Sequence, residues 1–425
     1  MASKNVETGE LEVVGNKITI TTFTGGNPQN IHHLVQSFDI YESLDNNCIT
    51  ADFIVYDGVE LTNYLPAAGE EKISLSIKTP SRKTCTYNFF VHTISGMSAT
   101  NDAQHKTYRF QCVSMDYLNN SYMKITKRYT DKKYDEAANE VLKVDFPVSK
   151  GLEVEPTKGK FDYVVNNVRP FQIMDLLCER AVPSNDSHAG SNYVFYEDNE
   201  KYYFVTLEHL IETRKGKAEG FTFVYDTGNR FEDFDKVVNV RNILNYEVYD
   251  LGKSVDKVLA GAQRNQVREF DIYHGDYFVK EEYTNTSDFK KFQKTDKNID
   301  LNSAAYSGSV EGMPARTMMA VKDGLRPEME HNKSIPKKRA FESKIAQHGM
   351  KIQVYNDTNL LPGDVVKCKV PEIAMTTQGR KEQEVYSGNY FIQNMRLTAT
   401  KRSDGLVEGF HILDLRRPNL GKEIG

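Results

Sequence analysis

Residues Ile73-Ser74-Leu75-Ser76-Ile77 alternate strictly between apolar and polar. A period of two with one apolar face predicts a half-buried antiparallel strand. Similar runs fill the chain up to Tyr122. Residues 11–23 are rich in Val, Ile and Thr and break at Gly25-Gly26-Asn27-Pro28. Residues 38–41 and 49–56 flank a turn at Asp45-Asn46-Asn47, and the second run closes at Asp57-Gly58. Residues 88–94 and 108–113 add two more strands. Many short strands at near-regular spacing point to a barrel or sandwich.

The period then changes. Tyr134, Ala137, Ala138, Val141 and Leu142 fall on one face of a helix, with Thr130 or Asp131 as its N-cap. A second helix is predicted to start at Pro170, to bury Phe171, Met174, Leu177, Cys178 and Ala181, and to stop at Pro183. A polar loop, 184–191, leads into a hairpin: residues 193–196, a turn at Asp198-Asn199, and residues 202–205. This α/β region extends to about Val240. Strands resume at 244–249, followed by a helical turn capped by Ser254. Residues 267–273 and 277–279 then flank a turn at His274-Gly275-Asp276. Between Thr284 and Lys338 the periodicity fades. Lys, Asp, Asn and Ser dominate there, and Gly308, Gly312, Pro314, Gly324 and Pro327 act as breakers, so we expect a partly irregular inserted excursion.

The last third repeats the first in order. Leu65-Pro66 precedes Ile73, Leu75 and Ile77, as Leu361-Pro362-Gly363-Asp364 precedes Val366, Cys368 and Val370. Asn88-Phe89-Phe90-Val91 matches Asn389-Tyr390-Phe391-Ile392 at an offset of 301. Ser98-Ala99-Thr100 matches Thr398-Ala399-Thr400, and Phe110 matches Phe410, both at 300. One single-residue gap accounts for the change. The reading is two copies of one β domain, the second split by the excursion.

Composition narrows the function. Among 425 residues, 39% are hydrophobic, enough for real cores and against a wholly disordered chain. The 24 Tyr and 22 Phe, with no Trp, favour strands. A net charge of −5 argues against nucleic-acid binding as the main task. Five cysteines, Cys48, Cys85, Cys112, Cys178 and Cys368, show no CxxC spacing and read as reduced hydrophobes. The start, MASKNVETGE, has no apolar stretch for a secretory signal, and no apolar run has the length of a membrane span. HExxH, GxSxG, a complete phosphate loop and EF-hand spacing are all missing. The neighbours His32 and His33 would point to opposite faces of a strand and so would not share a metal. No catalytic, cofactor-binding or metal residue is singled out, and no cofactor is expected. Basic clusters stand at Lys290, Lys291, Lys294 and Lys297, at Lys337-Lys338-Arg339, and at Arg416-Arg417. From these, Lys290, Lys291, Arg416 and Arg417 are the candidate partner-contact residues.

Four segments carry a family resemblance. Residues 193–204 read YVFYEDNEKYYF after the helix with Pro170, Phe171 and Leu177. Residues 244–283 hold Ala260-Gly261-Ala262 and the strand at 267–273. Residues 350–355, MKIQVY, precede 361–366, LPGDVV. Residues 387–392, SGNYFI, lead to a return strand ending at Asp414. In this order they resemble the baseplate hub subunit of contractile-tailed bacteriophages, related to the hub portion of type VI secretion spike proteins. The resemblance implies a mainly β (α+β) fold with two related antiparallel β-barrels and a small α/β domain between them. The expected domains are a first barrel, 1–121; the α/β domain, 122–240; and a second barrel, 241–283 with 339–416. The excursion, 284–338, and a tail, 417–425, complete the chain. The resemblance also implies a structural, non-enzymatic role in a virion baseplate assembled in the host cytoplasm. Three chains would form a homotrimer around a central channel, with six barrels facing a sixfold tail tube and a threefold face toward a separate spike protein. Tube-initiator and neighbouring baseplate proteins would be further partners, DNA would pass only as cargo, and no membrane anchor is expected. No spike repeat or lysozyme-like domain follows the second barrel, so any puncturing tip is expected on another chain. The alternatives are a phage-associated polysaccharide- or cell-wall-degrading enzyme and a glycan-binding adhesin.

Overall fold

The computed structural model describes residues 11–22, 25–61, 69–79, 83–99, 105–225, 241–249, 256, 259–296, 316–321, 331–346, 348–372 and 381–419. Ser254, Leu65-Pro66, Lys297, the breakers between Gly308 and Pro327, and the end of the α/β region before Val240 lie outside these residues. The strands of the first part are β1 (Glu12–Thr21), β2 (Gln29–Asn30), β3 (Val35–Ser43), β4 (Thr50–Asp57), β5 (Lys72–Lys78), β6 (Thr84–Ala99) and β7 (Lys106–Ser114). The middle holds β8 (Ile125–Lys132), β9 (Gly151–Val154), β10 (Thr157–Lys158), β11 (Phe161–Val168), β12 (Val182–Pro183), β13 (Tyr193–Glu197), β14 (Lys201–Thr206) and β15 (Thr222–Val224). The last part holds β16 (Ile243–Tyr249), β17 (Arg264–Asp271), β18 (Asp276–Thr284), β19 (Arg316–Val321), β20 (Gly349–Tyr355), β21 (Val365–Lys369), β22 (Gly388–Lys401) and β23 (Val407–Arg416). Helices are α1 (Met115–Tyr122), α2 (Tyr134–Glu140), α3 (Pro170–Arg180), α4 (Leu207–Arg214), α5 (Asn285–Asp288) and α6 (His331–Ile345).

The chain is mainly β. One 13-stranded sheet runs β16-β20-β23-β22-β3-β4-β7-β6-β5-β1-β2, with β21 on β22 and β15 on β21. Its pairings are antiparallel except β15 with β21. Among the described residues, strand pairing closes neither half into a ring. Two cores lie along this sheet. One buries Ile73, Leu75, Ile77, Phe53, Phe89 and Phe110. The other buries Val366, Cys368, Ile352, Tyr390, Leu413 and Leu415.

The two ends of the sheet repeat each other strand for strand. β3-β4-β7-β6-β5 has the same antiparallel order as β16-β20-β23-β22-β21. The register agrees in detail. Phe89 faces Ile73, as Tyr390 faces Val366. Bulges recur at matching sites: Val91/Thr93 with Ile392/Asn394, and Val35/Ser37 with Ile243/Asn245. β6 has one further bulge, between Ser95 and Ser98, where Gly96 adopts φ 68°. This extra residue is the gap that changes the sequence offset from 301 to 300. One sequence match is corrected. Phe90 pairs with Val113 and Phe391 with Arg416, so Phe110 corresponds to Leu413, not to Phe410. Phe110 and Leu413 are buried, whereas Phe410 is half-buried.

The halves differ in what joins the first two strands. Residues 44–49 link β3 to β4, whereas residues 250–348 lie between β16 and β20. That insertion holds β17, β18 and β19, a separate three-stranded sheet, together with α5 and α6. The expectation that residues up to 283 belong to the second barrel is therefore corrected. β17 and β18 pair with each other, and β17 with β19, not with the large sheet. α6 also continues past residue 338. Its buried face includes Asn332, Ser334, Pro336 and Lys344, so it lacks the apolar period that announces a helix.

The middle region packs β8 on β11, and β13-β14-β9, around Phe171, Phe195, Tyr202 and Phe204. α3 starts at Pro170, as read from the sequence. It ends at Arg180, before Pro183, because Val182–Pro183 pairs with Thr157–Lys158. α2 is capped at Lys133 and not at Thr130 or Asp131, since β8 continues through both and pairs Lys132 with Phe161.

Candidate interaction surfaces

The two halves meet where β22 is shared. Its first residues, Gly388 to Phe391, pair with β21. From Asn394 to Thr400 it pairs with β3 instead. Arg396 makes two hydrogen bonds to the Asp39 carboxylate, at 3.2 and 2.9 Å, and its guanidinium lies 5.5 Å from the Tyr41 ring centre. Planar, two-pronged pairing of this kind fixes geometry as well as charge. Ser43 also donates to Asn394, at 2.5 Å.

The repeat places each partner of this junction a second time. β6 corresponds to β22, and β16 to β3. β5 pairs with β6 only as far as Phe90. Beyond it, no strand flanks β6 on that side among the described residues. Among the described residues, β16 pairs with β20 alone and ends the large sheet. Tyr249 stands in β16 where Tyr41 stands in β3. Its hydroxyl donates to Asp414, and Arg416 lies 4.7 Å from its ring centre. Among the described residues there is thus one built β22–β3 junction, and two edges with the same strand identities have no strand beside them. An unpaired edge is a template for another chain.

The four basic candidates do not form one patch. Lys290 and Lys291 are exposed on the helical turn Phe289–Lys291, where Lys291 pairs with Asp288 at 3.1 Å. This segment is tied to the end of the second half: Asp296 accepts from the Asn389 N–H at 2.9 Å, and Thr295 donates to Asn419 at 3.1 Å. Arg416 is half-buried, donating to the Ala346 carbonyl at 3.3 Å. Arg417 is 1% exposed. It donates to the carbonyls of Ser387 and Val385 and stacks on Tyr390, so its reading as a surface contact is corrected. Position after an apolar strand does not reveal that backbone carbonyls await a guanidinium.

Three buried titratable groups stand out near these surfaces. Burial, aided by Asp198, pushes the Glu42 carboxyl up to about 7, although Tyr87 donates to it at 2.9 Å. Burial pushes His411 down to about 4, and its Nδ1 accepts from the Asp357 N–H at 3.1 Å. Burial pushes Glu208 up to about 8. Beside Glu208, the fold gathers Glu155, His188 and His209, whose ligand atoms lie within 4.8 Å of one another. No local spacing announces this group, because its members stand 33 and 21 positions apart in different elements. Among the described residues, no helix is long and apolar enough to cross a membrane.

No protein-family model matches the chain, and no curated protein matches it. Solved structures do. The prophage MuSo2 43 kDa tail protein from Shewanella oneidensis superimposes with a TM-score of 0.55 at 10% identity, covering 95% of this chain and 98% of that one. The tail protein from Neisseria meningitidis MC58 gives a TM-score of 0.53 at 10% identity, covering 94% of this chain and 96% of that one. At such identity the likeness speaks for the backbone arrangement, and over nearly its whole length this chain has the fold of those tail proteins.

Proposed function

We propose that the chain is a baseplate hub subunit, three copies of which close into a ring around a central channel. Each copy contributes two related barrel-like domains, so six similar units face a sixfold tail tube, while the threefold face meets a separate spike protein. The first unit is built on β1–β7 and the second on β15, β16 and β20–β23. The middle region and the insertion form the remainder. The carrying observation is the repeated strand order with its matching register and bulges. A symmetry adapter needs two similar surfaces per chain, and closed rings leave no unmatched edge. Within one copy, β3 of the first unit meets β22 of the second. Between copies, the same junction would join β16 of one chain to β6 of the next. Burial of tyrosine-bearing surface there supplies the driving force. Exposed Lys290 and Lys291 are the basic residues left to meet a neighbouring baseplate protein. The role is mechanical, with the virion tail as its place.

The tests are mass and linkage. Light scattering over a concentration series should give three times 48.5 kDa, about 145 kDa. The register of β22 on β3 sets Thr398 opposite Asp39, which translates to Ser98 opposite Glu247. Mixed single variants Ser98→Cys and Glu247→Cys should therefore oxidise to a linked pair. The described native cysteines are all buried and would stay silent. A dimer or tetramer would refute the ring. A trimer without the linked pair would keep the hub and reject this junction. Turnover of a glycan would instead favour an enzyme.

A further inference from the structure

We propose that Glu155, His188 and His209 form a binding site for a divalent transition-metal ion, zinc by its donor chemistry. The inference stands apart from the hub reading and does not depend on it. Two imidazoles and one carboxylate are a set that zinc takes with a fourth position left open. Three separate elements supply them. Glu155 follows β9, and its backbone N–H is fixed to the Phe204 carbonyl at 2.9 Å. His188 sits in a turned loop, its N–H bonded to the Asn185 carbonyl at 3.1 Å. His209 lies in the first turn of α4, which Thr206 caps through a hydrogen bond from the His209 N–H at 3.0 Å. Glu155 and His188 are buried, and His209 is half-buried, leaving a route for the ion.

The surroundings orient the donors. Glu155 Oε2 accepts from the Thr206 N–H at 2.7 Å, which leaves Oε1 to face His188 Nδ1 at 2.6 Å. The far ring nitrogen of His188, Nε2, meets Glu212 Oε2 at 2.7 Å. A carboxylate on the remote nitrogen fixes the tautomer and ring plane of metal-bound histidines. Glu153 Oε1 stands 3.8 Å from His209 Nε2. Glu208 is not a ligand, since its oxygens accept from the N–H groups of Gly190 and Gln293 at 2.7 and 3.1 Å. Without metal, a proton holds His188 Nδ1 to Glu155. On binding, that proton leaves to solvent, the ion takes its place, and the contact opens to admit the His209 nitrogen. The bound ion would pin the 185–191 loop between β9 and α4.

The test uses the full chain stripped with chelator. Zinc titration by calorimetry should show one ion per chain with proton release, and cobalt should give the visible absorption of a low-symmetry nitrogen and oxygen site. His209→Ala should weaken binding by about 100-fold or more, and Glu212→Gln by about 10- to 100-fold, as for outer-shell partners. Circular dichroism checks that both variants fold. If His209→Ala does not, X-ray absorption of the zinc-loaded wild type must show two imidazoles. No bound ion, binding untouched by either substitution, or a spectrum without two imidazoles overturns the proposal.

Discussion

The two ends of the large sheet share one strand order but differ in what surrounds it. In the first, a short turn joins β3 to β4. The middle region grips that turn: the Ile49 N–H donates to Glu197 at 3.0 Å and Asn47 donates to Asp175 at 2.9 Å. In the second, the same position opens into residues 250–348. The outer neighbour of β5 is antiparallel β1, whereas that of β21 is parallel β15. β3 is covered by β22, while β16 ends the sheet among the described residues. A repeat therefore preserves its ladder and its buried face, and varies its turns and edges. Those are the places where insertions cost little.

The sharpest way to break the comparison is to charge a shared core position. Leu75 and Cys368 occupy equivalent sites on β5 and β21, and both are buried. Leu75→Asp places an unpaired carboxylate in an apolar core and should cost at least about 4 kcal/mol. Soluble yield and thermal melting check this, and a normally melting variant would sink the core assignment. The milder pair is more discriminating. Leu75→Ala should cost about 2–5 kcal/mol, while Cys368→Ala, which removes one sulfur, should cost less.

Acid should act on the two halves in opposite directions. His411 corresponds in register to Tyr108, which has no ring nitrogen to protonate. In the unfolded chain His411 takes a proton near pH 6.5, but in the fold only near 4. Its contribution is therefore complete above pH 6.5 and is lost as pH falls toward 4, by about 3 kcal/mol. His331 in α6 is likewise pushed down to about 4 by burial and nearby Lys338. Glu42, raised to about 7, works the other way: it weakens the fold as pH rises from 4.5 through 7. Denaturant melts at pH 7 and pH 4.5 should show His411→Phe losing most of its share of the acid penalty. Glu42→Gln should flatten the opposing slope. An unchanged profile in His411→Phe would mean that the ring is hydrated.

Much of the ladder was legible because half-buried strands advertise themselves by alternation. Ile73, Leu75 and Ile77 against Val366, Cys368 and Val370 gave the repeat in its true register. Phe110 with Phe410 did not, because the turn from β22 to β23 is three residues longer than the one from β6 to β7: Ser98 pairs with Thr107, but Thr398 pairs with Phe410. α6 was hidden because asparagine, serine and lysine line its buried face, where Asn332 donates to the Val321 carbonyl at 3.1 Å and to Glu269. Arg417 read as a tail charge for the same reason: its burial is set by carbonyls that sequence does not place. The Glu155–His188–His209 group is a product of tertiary convergence, with no local spacing to announce it.

The smallest effect tests the single feature that separates β6 from β22. Gly96 holds φ 68° with nothing within 4 Å of an added Cβ, so substitution there strains backbone alone. Gly96→Ala should cost about 1 kcal/mol, and Gly96→Asn less, because asparagine tolerates the left-handed region. A neutral Gly96→Ala would place the bulge elsewhere. Deleting Gly96 is more informative, since it gives β6 the register of β22. The matched bulge at His92 would remain, so the ladder should survive, whereas deleting His92 would remove an irregularity both halves share and should be worse. Bulges also guard open edges against indiscriminate pairing. The additional bulge occurs in the copy whose edge has no strand beside it among the described residues, not in the copy whose edge β3 covers. The deletion should therefore change association more than stability, turning a selective edge into a general one, visible as concentration-dependent scattering at nearly unchanged melting temperature.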